Sequence, residues 1–221
     1  DIESFILPID EKNINVPLNV NCDDIITISG NFLGYYSNFN SNLSLDLKGG
    51  KINADIIFKD ADSIYVSSDI KANDFNFGEL LGINEINGPM NMDSKIIAEG
   101  KDSETMNYDI AAFVESATVL GYYLNRFKID ATYSSDEFIS NFRIGDRNLM
   151  ASGDFNYKIN SQEIDLNTDI VRANLDDLGL WDSGPLTVKT KLSVTVIGSD
   201  LDKLSAEVAG DSTIVVFSDN S

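Results

Sequence analysis

The chain has 221 residues and a formal net charge of −20, from 36 acidic against 16 basic side chains. Apolar residues make up 43%, enough for a core and too many for wholesale disorder. The charge and the absence of any Lys/Arg stripe exclude nucleic acid and disfavour docking onto anionic head groups.

A single cysteine, Cys22, excludes an internal disulfide, and the absence of histidine excludes Ser-His-Asp, Cys-His and His-based zinc chemistry. No apolar run approaches the ~18 residues that span a bilayer, and no signal-like segment is present. The abrupt start Asp1-Ile-Glu-Ser-Phe-Ile-Leu-Pro8 reads as part of something longer. A single elongated β domain over residues 1–221 is expected.

In chain order, Pro8 pins an extended start. Ile14, Val16, Leu18, Val20 and Cys22 then alternate with polar residues, so Cys22 reads as a small buried hydrophobe. Ile26 and Ile28 make a short strand before Gly30. Leu33-Gly-Tyr-Tyr36 follows, then Leu43, Leu45 and Leu47. Gly49-Gly50 predicts a hairpin turn into Ile52, Ala54, Ile56 and Phe58. Asp60-Ala-Asp-Ser63 is a turn. Residues 74–83 predict a short helical turn capped by Asp74 and closed by Gly82.

Gly88-Pro89 opens a strand with Met90, Met92, Ser94, Ile96 and Ala98 on one face. After the Gly100-Lys-Asp102 turn, Tyr108, Ile110, Ala112 and Val114 return. Leu120-Gly-Tyr-Tyr123 repeats the earlier tetrapeptide. Next come Phe127, Ile129, Ala131 and Tyr133; Phe138, Ser140, Phe142 and Ile144; Leu149 to Ile159 at every second residue; and Ile164, Leu166, Thr168 and Ile170. Residues 173–181 predict a second helical turn. Gly184-Pro185 opens the clearest strand, with Leu186, Val188, Leu192, Val194 and Val196 on one parity and Lys189 and Lys191 in water on the other. After Gly198-Ser-Asp200, Leu204, Ala206 and Val208 resume the alternation.

Leu-Gly-Tyr-Tyr at 33 and 120, Asp-Ile followed by Ala-Asn at 69 and 169, and Gly-Pro at 88 and 184 recur in order. They suggest approximate internal repeats over 33–119 and 120–217. With about a dozen strands and no useful helix, the apolar face must be covered by another sheet or by the sheet itself. The expected fold is all-β: a long meandering, mainly antiparallel sheet curled into a U-shaped groove with two short helical turns. A sandwich is the alternative, because both need the same alternation.

Residues 184–211, Gly-Pro-Leu-Thr-Val-Lys-Thr-Lys-Leu … Gly-Ser-Asp-Leu-Asp-Lys-Leu-Ser-Ala-Glu-Val-Ala-Gly-Asp, resemble the recurring C-terminal element of the AsmA/TamB family. Residues 120–159 resemble the repeating strands of its TamB branch, and Ala173-Asn-Leu-Asp-Asp-Leu-Gly-Leu180 its short connector. The resemblance spans about residues 65–217. It implies a periplasmic envelope protein with an apolar β-groove, taking part in phospholipid movement between membranes and in outer-membrane biogenesis. No catalytic residues come with it. An inner-membrane anchor and contacts with both membranes would lie in segments outside this chain.

On that expectation acyl chains lie against Ile52, Ile56, Phe58, Met90, Met92, Ile96, Ile110, Val114, Phe127, Ile129, Phe138, Phe142, Phe155, Tyr157, Ile164, Leu166, Leu186, Val188, Leu192, Val194 and Val196. No catalytic residue, metal or cofactor is expected. The paired acids Asp23-Asp24, Asp136-Glu137 and Asp176-Asp177 read as solvated turns, since neighbours on a strand face opposite ways and no EF-hand spacing occurs. Tyr35, Tyr36, Tyr122, Tyr123 and Trp181 keep a carbohydrate-binding module open, although one ring of each Tyr-Tyr pair should turn inward. A ligand-free structural stalk or adhesin domain is the third possibility.

Overall fold

The computed structural model describes residues 27–47, 50–82, 84–86, 88–102, 105–198 and 205–217. The expected features at Pro8, Ile14–Cys22 and Ile26, and the residues 199–204 of the last turn, lie outside them.

Among the described residues twelve strands follow one another as β1 (Thr27–Tyr35), β2 (Asn38–Leu47), β3 (Gly50–Asp60), β4 (Ile64–Phe75), β5 (Met90–Gly100), β6 (Asn107–Val119), β7 (Tyr122–Tyr133), β8 (Glu137–Gly145), β9 (Leu149–Lys158), β10 (Glu163–Asn174), β11 (Leu186–Ile197) and β12 (Ser205–Phe217). They form one antiparallel sheet in sequence order. Strand makes up 76% of the structure, and the sheet is not closed into a barrel. The meander follows from the sequence. All the connections but one are shorter than the dozen or so residues a parallel crossover needs; the exception, 76–89, carries a short helix and still returns β5 antiparallel beside β4. Substantial contacts between elements are all between strands adjacent in sequence. The sandwich alternative gives way to a single curled sheet.

Turns fall alternately on two rims. At β6–β7, Val119 pairs with Tyr122, and Leu120 (φ 51°) and Gly121 (φ 82°) form the two-residue turn. Positive φ at both positions is what a tight hairpin's twist requires. The β2–β3 hairpin is where Gly49-Gly50 predicted it, shifted by one residue: Leu47 pairs with Gly50, so Gly50 belongs to β3. The Gly-Pro copies hold matching places, immediately before β5 and β11 on the same rim. The Leu-Gly-Tyr-Tyr copies do not. The first ends β1 on one rim, and the second makes the β6–β7 turn on the other.

Only one of the two predicted helical turns is a helix. Helix α1 (Phe77–Leu81) ends at Gly82 in the left-handed conformation, as expected. Its N-cap is Asn76 rather than Asp74. The Asn76 side chain accepts from the Glu79 N–H at 3.1 Å and donates to the Glu79 carboxylate at 3.1 Å. Asp74 instead takes φ 49° inside an irregularity of β4, a conformation Asp tolerates better than most residues. The 173–181 segment is a turn: the Leu178 N–H donates to the Asn174 carbonyl, and Gly179 (φ 73°) and Leu180 reverse the chain at once.

A crease crosses the sheet. Ile52, Ala72, Met92, Val114, Phe127, Ile144, Ala151, Ile170 and Thr190 form one transverse row through successive cross-strand pairs. Immediately beyond it, register shifts occur between Ala72 and Phe75, between Met92 and Asn91, between Ile170 and Ala173, and between Lys191 and Lys189. Arg126 (φ 53°) and Ser212 (φ 54°) fall on the same line. A bulge bends its strand and tightens the twist. Aligned across neighbouring strands, bulges fold the whole sheet along one line. The least exposed side chains, Ala72, Phe75, Ala117 and Asp146, lie near it.

Candidate functional site

The apolar parity of every strand from β3 to β11 lands on one face. Cross-strand pairing joins Phe58, Val66, Ala98, Tyr108, Tyr133, Phe138, Tyr157, Ile164 and Val196 in the row farthest from the crease. Next comes Ile56, Ser68, Ile96, Ile110, Ala131, Ser140, Phe155, Leu166 and Val194. Then come Ala54, Ile70, Ser94, Ala112, Ile129, Phe142, Gly153, Thr168 and Leu192. The crease row closes the band. Eighteen of the twenty-one residues expected to line a groove lie in these four rows; Met90, Leu186 and Val188 lie beyond the crease, past the register shifts. Val114 and Leu186 are buried; the others are part-exposed.

The two middle rows are complementary in size. On nearly every strand one of the two positions is small and the other large: Ala54 with Ile56, Ile70 with Ser68, Phe142 with Ser140, Gly153 with Phe155. Large side chains lean over small ones on the next strand. A Cβ on Gly153 would meet the tip of the Phe142 ring at 2.9 Å, as well as the Asn167 carbonyl oxygen. Phe39 stacks on Phe58 with centroids 5.0 Å apart, and Phe138 meets Phe155 at 5.9 Å. Lateral packing therefore half-buries most of these side chains, while no second layer among the described residues covers the face.

The opposite face is polar. Lys71–Asp93 (3.4 Å), Lys128–Asp130 (2.8 Å) and Lys191–Asp169 (3.9 Å) pair there, all exposed, so each adds little stability. Ser193 donates to Asn167 at 2.7 Å and Thr195 to Asp165 at 2.8 Å. Lys189 and Lys191 are exposed, as predicted. Exposed Ile57, Phe113 and Ile139 sit singly among these polar groups. Shallow hollows of about 750 Å³ and 510 Å³ lie on this face, over Lys128, Asp130, Asn141 and Arg143 and over Asp69, Lys71 and Lys95. A twisted sheet is saddle-shaped, so hollows on one face do not flatten the other.

A polar seam, not foreseen from the sequence, runs just past the crease. Asn91 donates to Asp74 at 3.2 Å and to Ser116 at 3.1 Å. Asp146, 1% exposed, accepts from the Tyr122 hydroxyl, from the Asn125 N–H (3.1 Å) and side chain (3.2 Å), and from the Asn148 N–H (2.8 Å). Asn174 donates to Asn148 at 3.2 Å, and Thr187 donates to Asn174 at 3.0 Å. Burial works against ionising Asp146, yet the bonds from Tyr122, Asn148 and Asn125 outweigh it and hold its carboxyl below the usual 3.8. Burial, then the Asp146 bond, pushes the Tyr122 phenol above 10.0. The signal available in the sequence was Asp146-Arg-Asn148, an Asp whose side chain can turn back to the N–H two residues on.

The candidate sugar platform does not assemble. Tyr35 and Tyr36 are 80% and 82% exposed at the β1–β2 turn, so neither turns inward. Tyr122, Tyr123 and Trp181 lie on the opposite rim. Tyr122 does turn inward, onto Asp146, as expected for one ring of that pair. Among the described residues no cluster of three or more acidic or cysteine side chains could hold a metal ion. No helix among them is long and apolar enough to cross a membrane.

Comparison with protein-family models, with curated proteins and with solved structures gives no match.

Proposed function

We propose that this chain is a non-catalytic stretch of lipid conduit in an AsmA/TamB-like protein of a diderm cell envelope. It shelters phospholipid acyl chains on its apolar face, within the periplasm, for inter-membrane transport and outer-membrane biogenesis. The reading rests on one observation above all: rows with few polar interruptions run across β3 to β11, and no second layer among the described residues lies over them. An apolar face of this length is costly in water, and soluble proteins rarely leave one bare. Each acyl CH₂ sheltered there contributes about 0.8 kcal/mol without needing a specific contact. Weak binding repeated along the sheet suits sliding, because a deep local pocket would trap the lipid.

Native mass spectrometry of the purified protein tests this. Phospholipid is expected to co-purify, or to transfer onto the protein from phosphatidylethanolamine vesicles. A protein that emerges lipid-free and takes up none would instead be a structural stalk. That second reading has its own support: β1 and β12 are the edges of the sheet among the described residues, and every residue of both is exposed.

A further inference from the structure

We infer that a phospholipid bound to the apolar face lies along the strands in one fixed direction. Its head group sits at the rim bearing Tyr108, Tyr133 and Tyr157, and its acyl ends point to the crease. The inference rests on the lipid-conduit reading and adds a polarity to it.

The two boundaries of the apolar band differ in what they offer. Tyr108, Tyr133 and Tyr157 share the row farthest from the crease, linked by the pairs Tyr108–Tyr133, Tyr133–Phe138 and Phe138–Tyr157. The first two rings lie 5.8 Å apart. Among the described residues none of the three hydroxyls has a hydrogen-bond partner, and none is a buried unsatisfied atom. A tyrosine presents an apolar ring and a polar tip, so it suits a boundary where one end is greasy and the other wet. Three such tips are free to donate to phosphate or glycerol-ester oxygens.

At the crease boundary the donors of the polar seam are already engaged, and the unpaired Arg172 Nε there belongs to a residue paired with Met150, outside the apolar rows. The seam's tyrosine, Tyr122, already spends its hydroxyl on Asp146. Asn91 is held by Asp74 and Ser116, and Asn174 bridges Asn148 and Thr187. A head group placed there would compete with bonds already made, whereas hydrocarbon needs none.

The spacing fits as well. From Tyr108 to Val114 on β6 is six residues, about 20 Å at the rise of a strand. One leaflet is half of the roughly 30 Å hydrocarbon core of a bilayer. An acyl chain lying along a strand is thus fully covered between the tyrosine rim and the crease.

The test uses phosphatidylethanolamine vesicles whose lipid carries a diazirine either on the head group or at the end of one acyl chain. After transfer and irradiation, labelled peptides are mapped on the whole chain. The head-group probe is expected to label the row of Tyr108, Tyr133 and Tyr157 several-fold over the row of Val114, Phe127 and Ile144. The chain-end probe is expected to show the reverse preference. The combined variant Tyr108→Phe, Tyr133→Phe, Tyr157→Phe keeps the rings and should lose the head-group preference while still taking up lipid. Labelling of both rows equally by both probes, or with the preferences exchanged, overturns the orientation and leaves lipid binding standing. No labelling by either probe overturns the lipid-conduit reading itself, and the orientation with it.

Discussion

Asp146→Ala is expected to destabilise the protein by about 3–5 kcal/mol, because removing the carboxylate leaves several buried donors unpaired at once. The Tyr122 hydroxyl, the Asn125 N–H and side chain, and the Asn148 N–H all lose their acceptor. The residue is 1% exposed, so water cannot readily replace it. Chemical denaturation of the two proteins measures the difference. A change below about 1 kcal/mol would mean that the seam is decoration on a crease held by other contacts.

The same cluster gives a pH signature. The folded pKa of Asp146 lies below its ordinary value of 3.8. Its stabilising contribution is therefore complete above that value and is lost as pH falls through the lower folded value. Tyr122 is raised above 10.0, so its contribution is complete below pH 10.0 and is lost as pH rises through the raised value. Asp146→Asn keeps the shape and removes the charge, and should flatten the acid limb of the stability curve. An acid limb of unchanged steepness would place its origin in other carboxylates.

Phe75→Ala is expected to cost about 3–5 kcal/mol, the range for removing a buried aromatic side chain. Phe75 is 2% exposed and packs edge-on against Phe77 at 4.8 Å. It sits where β4 leaves the crease, opposite Met90, and the Gly50 backbone presses so closely on it that a Cβ there would meet the Phe75 Cα at 2.5 Å. Part of the cost should therefore appear as loosening between β3, β4 and β5, read as faster hydrogen exchange in those strands than in β9 to β11. Uniform acceleration along the sheet would show instead that the strands unfold as one unit.

The strands were legible because one parity stays apolar along each of them, and the side-chain period of 2 leaves one face to assign. Leu186 to Val196 showed this most plainly, and β11 carries those residues on the face predicted. The crease was not legible. A bulge looks in sequence like the end of a strand, so the pattern puts the start of a helical turn at Asp74, where β4 in fact runs on to Phe75. The seam was hidden because its partners are far apart in sequence: Asn91 with Ser116, Tyr122 with Asp146, Asn148 with Asn174. Single polar residues carry no periodicity to reveal such pairs. Tyr35 and Tyr36 were misjudged because they enter a turn, where the pleat no longer sends neighbours to opposite faces. The missed N-cap has a similar origin. Asp74 and Asn76 are both plausible caps, and only the bulge at Asp74 decides between them. Which face carries apolar rows was thus open to sequence reasoning, whereas the openness of that face needed the three-dimensional arrangement.

Photo-crosslinking in cells tests the central claim most directly. A photoreactive residue is placed at Ile129, Phe142 or Val194 on the apolar face, or at Lys128 or Lys191 on the polar face as controls. Phospholipid adducts from the first set and none from the second are the expected result. Equal labelling of both sets, or none from either, would contradict the conduit.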